Sequence, residues 1–341
     1  MNQLTLTNQE VTSINETLVE LSYRFHSADD AEFLRCAGFF AHNLPHRVRA
    51  FLNDFRSMEL PSGIGLISGY PIDEWKIGRT PKHWKASHES LRTVEEEMLL
   101  ILFGSLLGEP LGWATQQDGR VIHDVLPIKG HEHEQLGSSS QELLTWHVED
   151  AFHPYRCDYL GMMCLRNNQR VATNVASIDA IALSPEEVEI LFQPRFNIHP
   201  DESHLKKNKS DQQTSGDDQL EKAYEKIDRM KTEPEKLAVL FGDRRSPYVR
   251  LDPYFMQRLE NDEEGQAALD SLIEKLDGKL HDLILQAGDF VFLDNYRVVH
   301  GRKPFVANYD GTDRWLKRIN LTRDLRKSRA SRLTADSRII Y

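Results

Sequence analysis

The feature that most constrains this chain is a late group of segments with the alternation of β-strands. Gly288-Asp289 opens a turn, Phe290 to Asp294 follows as a run of β-branched and aromatic residues, and a polar corner at Asp294-Asn295 leads into Val298-Val299-His300. That is a hairpin whose second strand carries a histidine at its end. A further strand runs from Arg314 through Thr322, and because side chains alternate with period two, Arg314, Leu316 and Arg318 share one face. One strand face therefore carries two fixed cations.

Far upstream lies Thr145-Trp146-His147-Val148-Glu149-Asp150, where His147 and Glu149 are one residue apart and, on a strand or its frayed end, point the same way. Two histidines and one carboxylate form the facial triad of non-haem Fe(II) oxygenases, which leaves coordination positions open for a cosubstrate and O2. His147, Glu149 and His300 are the candidate set. A His-x-acid pattern alone carries little weight, since His199-Pro200-Asp201 has it too and His131-Glu132-His133-Glu134 looks still more metal-like. The weight comes from the combination: a proximal pair, a distal histidine on an apolar strand, and an arginine at a strand-compatible offset.

His147 to Arg156, Asp294 to Arg302 and Asp310 to Arg318 together resemble the clavaminate synthase-like Fe(II)/2-oxoglutarate oxygenases, and within them the arginine and enduracididine β-hydroxylases; the likeness runs from about Gly63 to about Arg326. The resemblance implies a mainly β fold with flanking helices, built on a double-stranded β-helix, the cupin-like jelly roll. It implies Fe(II) held by His147, Glu149 and His300, with 2-oxoglutarate and O2 as cosubstrates. Arg314 would pair with the far carboxylate of 2-oxoglutarate, Thr173 would hydrogen-bond the same molecule, and Arg318 would take the substrate α-carboxylate. Either Gln116 or Gln117 would meet the amino-acid end of the substrate, the Leu136-Gly137-Ser138 loop would touch it, and Asp201 and Asp252 would receive a basic side chain. The arginine-type enzymes use more than one Asp near Asp252, whereas this chain offers Asp252 with Asp243 nearby, which leaves room for a cyclised guanidine or another basic amino acid. Glu149, reaching the substrate ammonium with its second oxygen, would bring C3 nearest the metal. Hydroxylation and desaturation both stay open, as do lysine or another small amino acid as substrate, and a non-catalytic cupin-like binding protein.

The rest of the chain fits one oxygenase domain over 1–341, without internal repeats. A hydrophobic share of 40% supports a real core, and a net charge of -11 argues against nucleic acid, which is held through basic surface. Cys36, Cys157 and Cys164 have no metal-like spacing and suit a reducing cytoplasm. The N-terminus lacks a basic-then-apolar leader, and no uncharged apolar run approaches the roughly 20 residues of a membrane span. In order, the pattern predicts packing helices within 1–60, over about 8–25 and 29–57, a strand in 62–71, and a helix from Thr93 to Gly108 with Thr93 as its N-cap. Strands follow around 112–127, 158–166 and 171–177, then a helix over 183–192. From His199 the composition shifts to Lys, Asn, Ser, Gln and Gly, so about 199–245 reads as a lid and helical insert, with helices near 218–231 and 233–240. A helix over 261–280 precedes the opening hairpin, and the tail over 325–341 is basic and reads as only partly ordered.

Overall fold

The alternating segments pair into two sheets. The computed structural model describes residues 1–88, 90–208 and 218–341; positions 209–217, within the stretch expected to form a lid, lie outside them. The chain starts with β1 (Asn2–Thr5), then α1 (Asn8–Arg24), α2 (Ala31–Ala41) and α3 (His46–Ser57). Thr7 and Glu10 cap α1 reciprocally, and Asp30 receives the first amides of α2. The single helix expected over 29–57 is two helices, because Pro45 has no N–H and disfavours helical backbone before it, so α3 starts afresh on the proline.

β2 (Ile64–Ser68), α4 (Glu74–Ile77), α5 (Trp84–His88) and α6 (Val94–Ser105) lead to β3 (Glu109–Trp113), β4 (Ile122–Val125) and β5 (Leu144–His147). Thr93 stands at the N-cap of α6, but its hydroxyl donates to Glu97 and takes no backbone amide. Next come β6 (Tyr159–Arg166), β7 (Thr173–Ser177), α7 (Pro185–Leu191) and α8 (Asp218–Thr232). No helix forms over 233–240: Leu237 bridges to Phe196, and β8 (Leu240–Asp243) pairs with β9 (Ser246–Val249). Short apolar spacing there suits buried extended chain as well as a helix, and tertiary pairing decides. α9 (Glu263–Asp277), β10 (His281–Leu283), β11 (Phe290–Asp294), β12 (Val298–Arg302), β13 (Trp315–Thr322) and β14 (Ile339–Ile340) complete the chain. The basic tail is ordered, contrary to expectation: Arg332 is buried and donates to the Leu325, Ala335 and Ser337 carbonyls, and β14 pairs with β3.

The large sheet runs β1-β2-β11-β6-β13-β3-β14, with β4 also on β13; the small one runs β10-β7-β12-β5. Gly288 makes the turn into β11 at φ +86, and a Cβ there would fall 1.7 Å from the Tyr70 carbonyl oxygen. Between the sheets lie Leu66, Leu160, Cys164, Val175, Val291 and Val298. The outer face of the large sheet is covered by α1–α3 and α6, whose residues Met98 to Gly104 are all buried, and the outer face of the small sheet by α7 and α9. Each large apolar side chain so buried contributes about 2 kcal/mol. No described helix is long and apolar enough to cross a membrane.

Candidate active site

β5, β12 and β7 lie side by side in the small sheet, and their register sets the site. His300 on β12 stands opposite His147 on β5, and Arg302 opposite Thr173 on β7. Gly301 permits this closeness, since a Cβ there would sit 2.6 Å from the Leu144 carbonyl oxygen. Beyond the end of β5, Glu149 turns back to the same side. Its Oε2 lies 3.3 Å from His300 Nε2 and 3.9 Å from His147 Nε2. The three ligand atoms lie within 4.8 Å of one another, which lets them close on one divalent cation from one side and leave the other side to the pocket.

His147 Nδ1 donates to the Thr145 carbonyl at 2.8 Å, which leaves the Nε2 lone pair facing the cluster. Burial, the largest single influence, opposes charge on His147, but the hydrogen bond to the Glu149 carboxylate, the charges of Asp252 and Glu149 and the Thr145 carbonyl together outweigh it and push the imidazole up to about 9. Burial and the neighbouring His147 hold His300 below its usual value. For Glu149, burial is outweighed by Arg318 and the two imidazoles, and the carboxyl sits well below the usual range. The acid therefore stays ionised and attracts protons or a metal to the same spot.

Leu316 and Arg318 on β13, and Arg314 just before it, face the pocket together, on the side that alternation predicts, across a register irregularity between Trp315 and Leu316. Arg318 donates from Nη1 to Glu149 Oε1 and from Nη2 to His123 Nδ1 at 2.7 Å. Arg314 is different: it is buried, its Nη2 donates to Thr173 Oγ1 at 3.1 Å, and its Nε has no partner. Among the described residues it makes no ion pair, and burial lowers it to about 10. A buried guanidinium with only a hydroxyl for company has room for an anion that brings two acceptors.

Opposite the arginines, Asp201 and Asp252 both line the pocket. Asp252 makes no ion pair among the described residues, and burial raises it to about 6. Asp243 is elsewhere, exposed and paired with Arg245 at 2.8 Å. Of the two glutamines, Gln116 turns inward, with Oε1 3.5 Å from Arg318 Nη2, while Gln117 is folded onto the backbone of Asp124. Leu136 lines the pocket and Ser138 an adjoining cavity, where its hydroxyl meets His131 Nδ1 at 2.9 Å. The competing histidines fall outside the cluster: His199 Nδ1 meets the Lys231 carbonyl, and His133 is exposed beside Glu142.

Sequence reasoning missed the groups that hold the ligand loop. Asn295 accepts from the Glu149 amide at 2.8 Å and donates to the Glu149 and Cys157 carbonyls, a bracket on the backbone of the metal-facing acid. Arg250 donates to the Ala151 and Phe152 carbonyls. Asp150 takes a left-handed backbone, φ +50, and its carboxylate accepts from Trp113 Nε1 at 2.7 Å and Asn320 Nδ2 at 3.2 Å. The available signals were the polar corner before Tyr296 and the acid directly after Glu149; neither states its partner.

Residues 91–320 match the family described as taurine catabolism dioxygenase TauD, TfdA family. Over all of both chains, the protein is 44% identical to an enduracididine beta-hydroxylase of Streptomyces hygroscopicus and 44% identical to an L-ornithine/L-arginine 3-hydroxylase of Catenulispora acidiphila. A crystal structure of the non-heme iron oxygenase OrfP with Fe, succinate and (3S)-hydroxy-L-Arg superposes with a TM-score of 0.94 at 42% identity, covering 100% of both chains. With the family model matching well over half of the chain and 44%-identical relatives matching all of it, the chain belongs to the TauD/TfdA family of dioxygenases.

Proposed function

We propose that this protein is an Fe(II)- and 2-oxoglutarate-dependent hydroxylase acting at C3 of a free guanidino amino acid, L-arginine or L-enduracididine. The observation that carries the reading is a single pocket holding three side chains placed to hold a metal, with a buried Arg314 and a buried Asp252 that make no ion pair among the described residues. Those are the complements of a dication, a dicarboxylate and a planar cation. The activities of the two 44%-identical relatives, and the iron, succinate and hydroxyarginine bound by the related oxygenase, support it.

The donor set fits both groups: two imidazoles and a carboxylate suit Fe(II), and the orphaned Arg314 Nε suits a carboxylate of 2-oxoglutarate. Bound together with O2 as the oxidant, they would supply the oxidation that turns a substrate C–H into C–OH, one oxygen atom going to the substrate and the other to the succinate left when 2-oxoglutarate loses CO2. His147, Glu149 and His300 hold the metal. Arg314, steadied by Thr173, receives the far carboxylate of the cosubstrate. Arg318 orients the substrate α-carboxylate, helped by Gln116, and the second oxygen of Glu149, now on Arg318, lies on the side where a substrate ammonium arrives. Asp201 and Asp252 take the guanidinium edge-on, and Leu136 closes the apolar side above the stem. Fixing both ends of the amino acid aims one carbon at the metal. We read the facing sheets as a double-stranded β-helix, the whole chain as one domain with an insert over about 199–245, and the three free thiols as those of a cytoplasmic protein.

The test is oxygen-free protein loaded with Fe(II) and 2-oxoglutarate, then exposed to O2 with arginine, enduracididine, ornithine or lysine, following succinate and product mass. Succinate matched by one added oxygen on a guanidino amino acid, with the new C–O carbon located at C3 by NMR, is the expected result. Preference for lysine, or no stimulation by any of the four, overturns the substrate.

A further inference from the structure

The short 3-10 turn at Glu202–His204 carries two side chains in opposite directions. Asp201, which caps the turn by accepting from the Ser203 amide, lines the substrate pocket. His204 goes inward and is 0% exposed, edge-on to Trp113 and Phe152 at ring distances of 5.4 and 5.0 Å. Its Nε2 lies 3.0 Å from Asp150 Oδ1, and its Nδ1 lies 2.7 Å from Thr115 Oγ1. The Asp150 carboxylate can only accept, so it fixes the Nε2–H tautomer, and the Thr115 hydroxyl, which can donate or accept, then donates to Nδ1. Ser203, between them, receives Gln116 Nε2 at 2.5 Å. Asp150, Asp201 and His204 also satisfy the spacing of a metal site, but both oxygens of Asp150 already accept hydrogen bonds, from His204 on one and from Trp113 and Asn320 on the other. A cation there would have to displace a complete network.

We propose that His204 is a positioning residue that pegs the Asp201 turn to the loop carrying Glu149. The peg acts on two things at once. It places Asp201 at the substrate end of the pocket, and it ties down Asp150, whose left-handed backbone directly follows the metal-facing carboxylate. Substrate binding at Asp201 and the alignment of Glu149 thereby become linked through one imidazole. The inference rests on the pocket being an amino-acid site.

Three variants test it: His204→Ala, His204→Gln, which keeps an amide N–H near the Nε2 position, and Thr115→Val, which removes the hydroxyl partner. Calorimetry of L-arginine with the oxygen-free, Fe(II)- and 2-oxoglutarate-loaded protein should show His204→Ala binding about tenfold more weakly. In the presence of O2, its ratio of succinate to hydroxylated arginine should rise at least twofold, with Fe(II) affinity falling by less than arginine affinity. His204→Gln should recover most of both, and Thr115→Val should fall between. Unchanged arginine affinity and ratio in His204→Ala overturn the proposal, and so does a parallel loss of Fe(II) affinity and melting temperature that His204→Gln does not repair. If the unaltered protein binds no arginine, the functional reading has failed, and the peg is judged by amide hydrogen exchange over 201–205 in metal-free protein: faster exchange in His204→Ala upholds it and unchanged exchange sinks it.

Discussion

Arg314 and Lys317 are three positions apart, both are cut off from solvent, and they keep opposite company. Lys317, on the helix-facing side of β13, reaches Glu97 Oε1 and Asp124 Oδ1 at 2.7 Å each and the Ser87 hydroxyl at 3.0 Å. Arg314, on the sheet-to-sheet side, has the Thr173 hydroxyl and an idle Nε. Taking an ionised group out of water costs several kcal/mol unless partners compensate, so a chain that carries the cost uncompensated weakens its empty form. On the proposed function, the contrast separates a cation spent on folding from one reserved for a ligand. It also says where to look in similar sites: not for buried charge, but for buried charge without its counterpart.

The largest effect should come from the compensated cation. Lys317→Met leaves Glu97 and Asp124 buried without a positive partner and should cost about 3–5 kcal/mol in denaturant unfolding. An unfolding midpoint equal to that of the unaltered protein would break the comparison at its structural end. Arg314→Met should do the reverse, leaving stability equal or higher while the KM for 2-oxoglutarate rises about 100-fold, on the order of 3 kcal/mol for two charge-assisted hydrogen bonds. A marked loss of stability with KM intact would mean that Arg314, too, is a folding residue. Asp252→Asn carries the same logic to the substrate end: about a 30-fold weaker grip on L-arginine by calorimetry, with 2-oxoglutarate binding unchanged. The smallest effect is the pH dependence of that grip. Burial raises Asp252 in the empty protein from 3.8 to about 6, so the folded state binds this proton more tightly than the unfolded chain. Its contribution to stability is therefore lost as pH rises through 6. A cationic substrate needs the ionised form, so the KM for arginine should fall several-fold between pH 5 and 7, and Asp252→Asn should flatten that part of the profile.

Much of this was legible in the chain itself, because the candidate metal cluster and the two arginines depend on period-two geometry in short strands and the residues that flank them. His147 with Glu149, and Arg314 with Arg318, need only local backbone to share a face, and the apolar strand ending on His300 supplied the third ligand. What sequence reasoning could not supply depends on partners far along the chain. The bracket of Asn295 on Glu149 spans 146 positions and the His204–Asp150 contact 54, and no local pattern encodes either. β1 has no signature because it is a strand only by virtue of lying beside β2. The tail failed for a related reason: its charge suggested solvent, yet Arg332 is satisfied by carbonyls of its own loop. Gln116 and Gln117 were inseparable as neighbours, and a positive φ of 40 at Gln117 is what turns the two side chains apart.

The outermost strand has a practical consequence. β14 lays Ile340 beside Trp113, the indole of Trp113 holds Asp150, and Asp150 adjoins Glu149. Whatever is fused after Tyr341 is therefore mechanically close to the reactive centre, whereas Met1 adjoins β1 at the opposite margin of the same sheet. An affinity handle or immobilising surface joined at the front of the chain should leave turnover alone; the same addition at the back loads the seam behind the iron site, and a preparation made that way would report a tag artefact as chemistry.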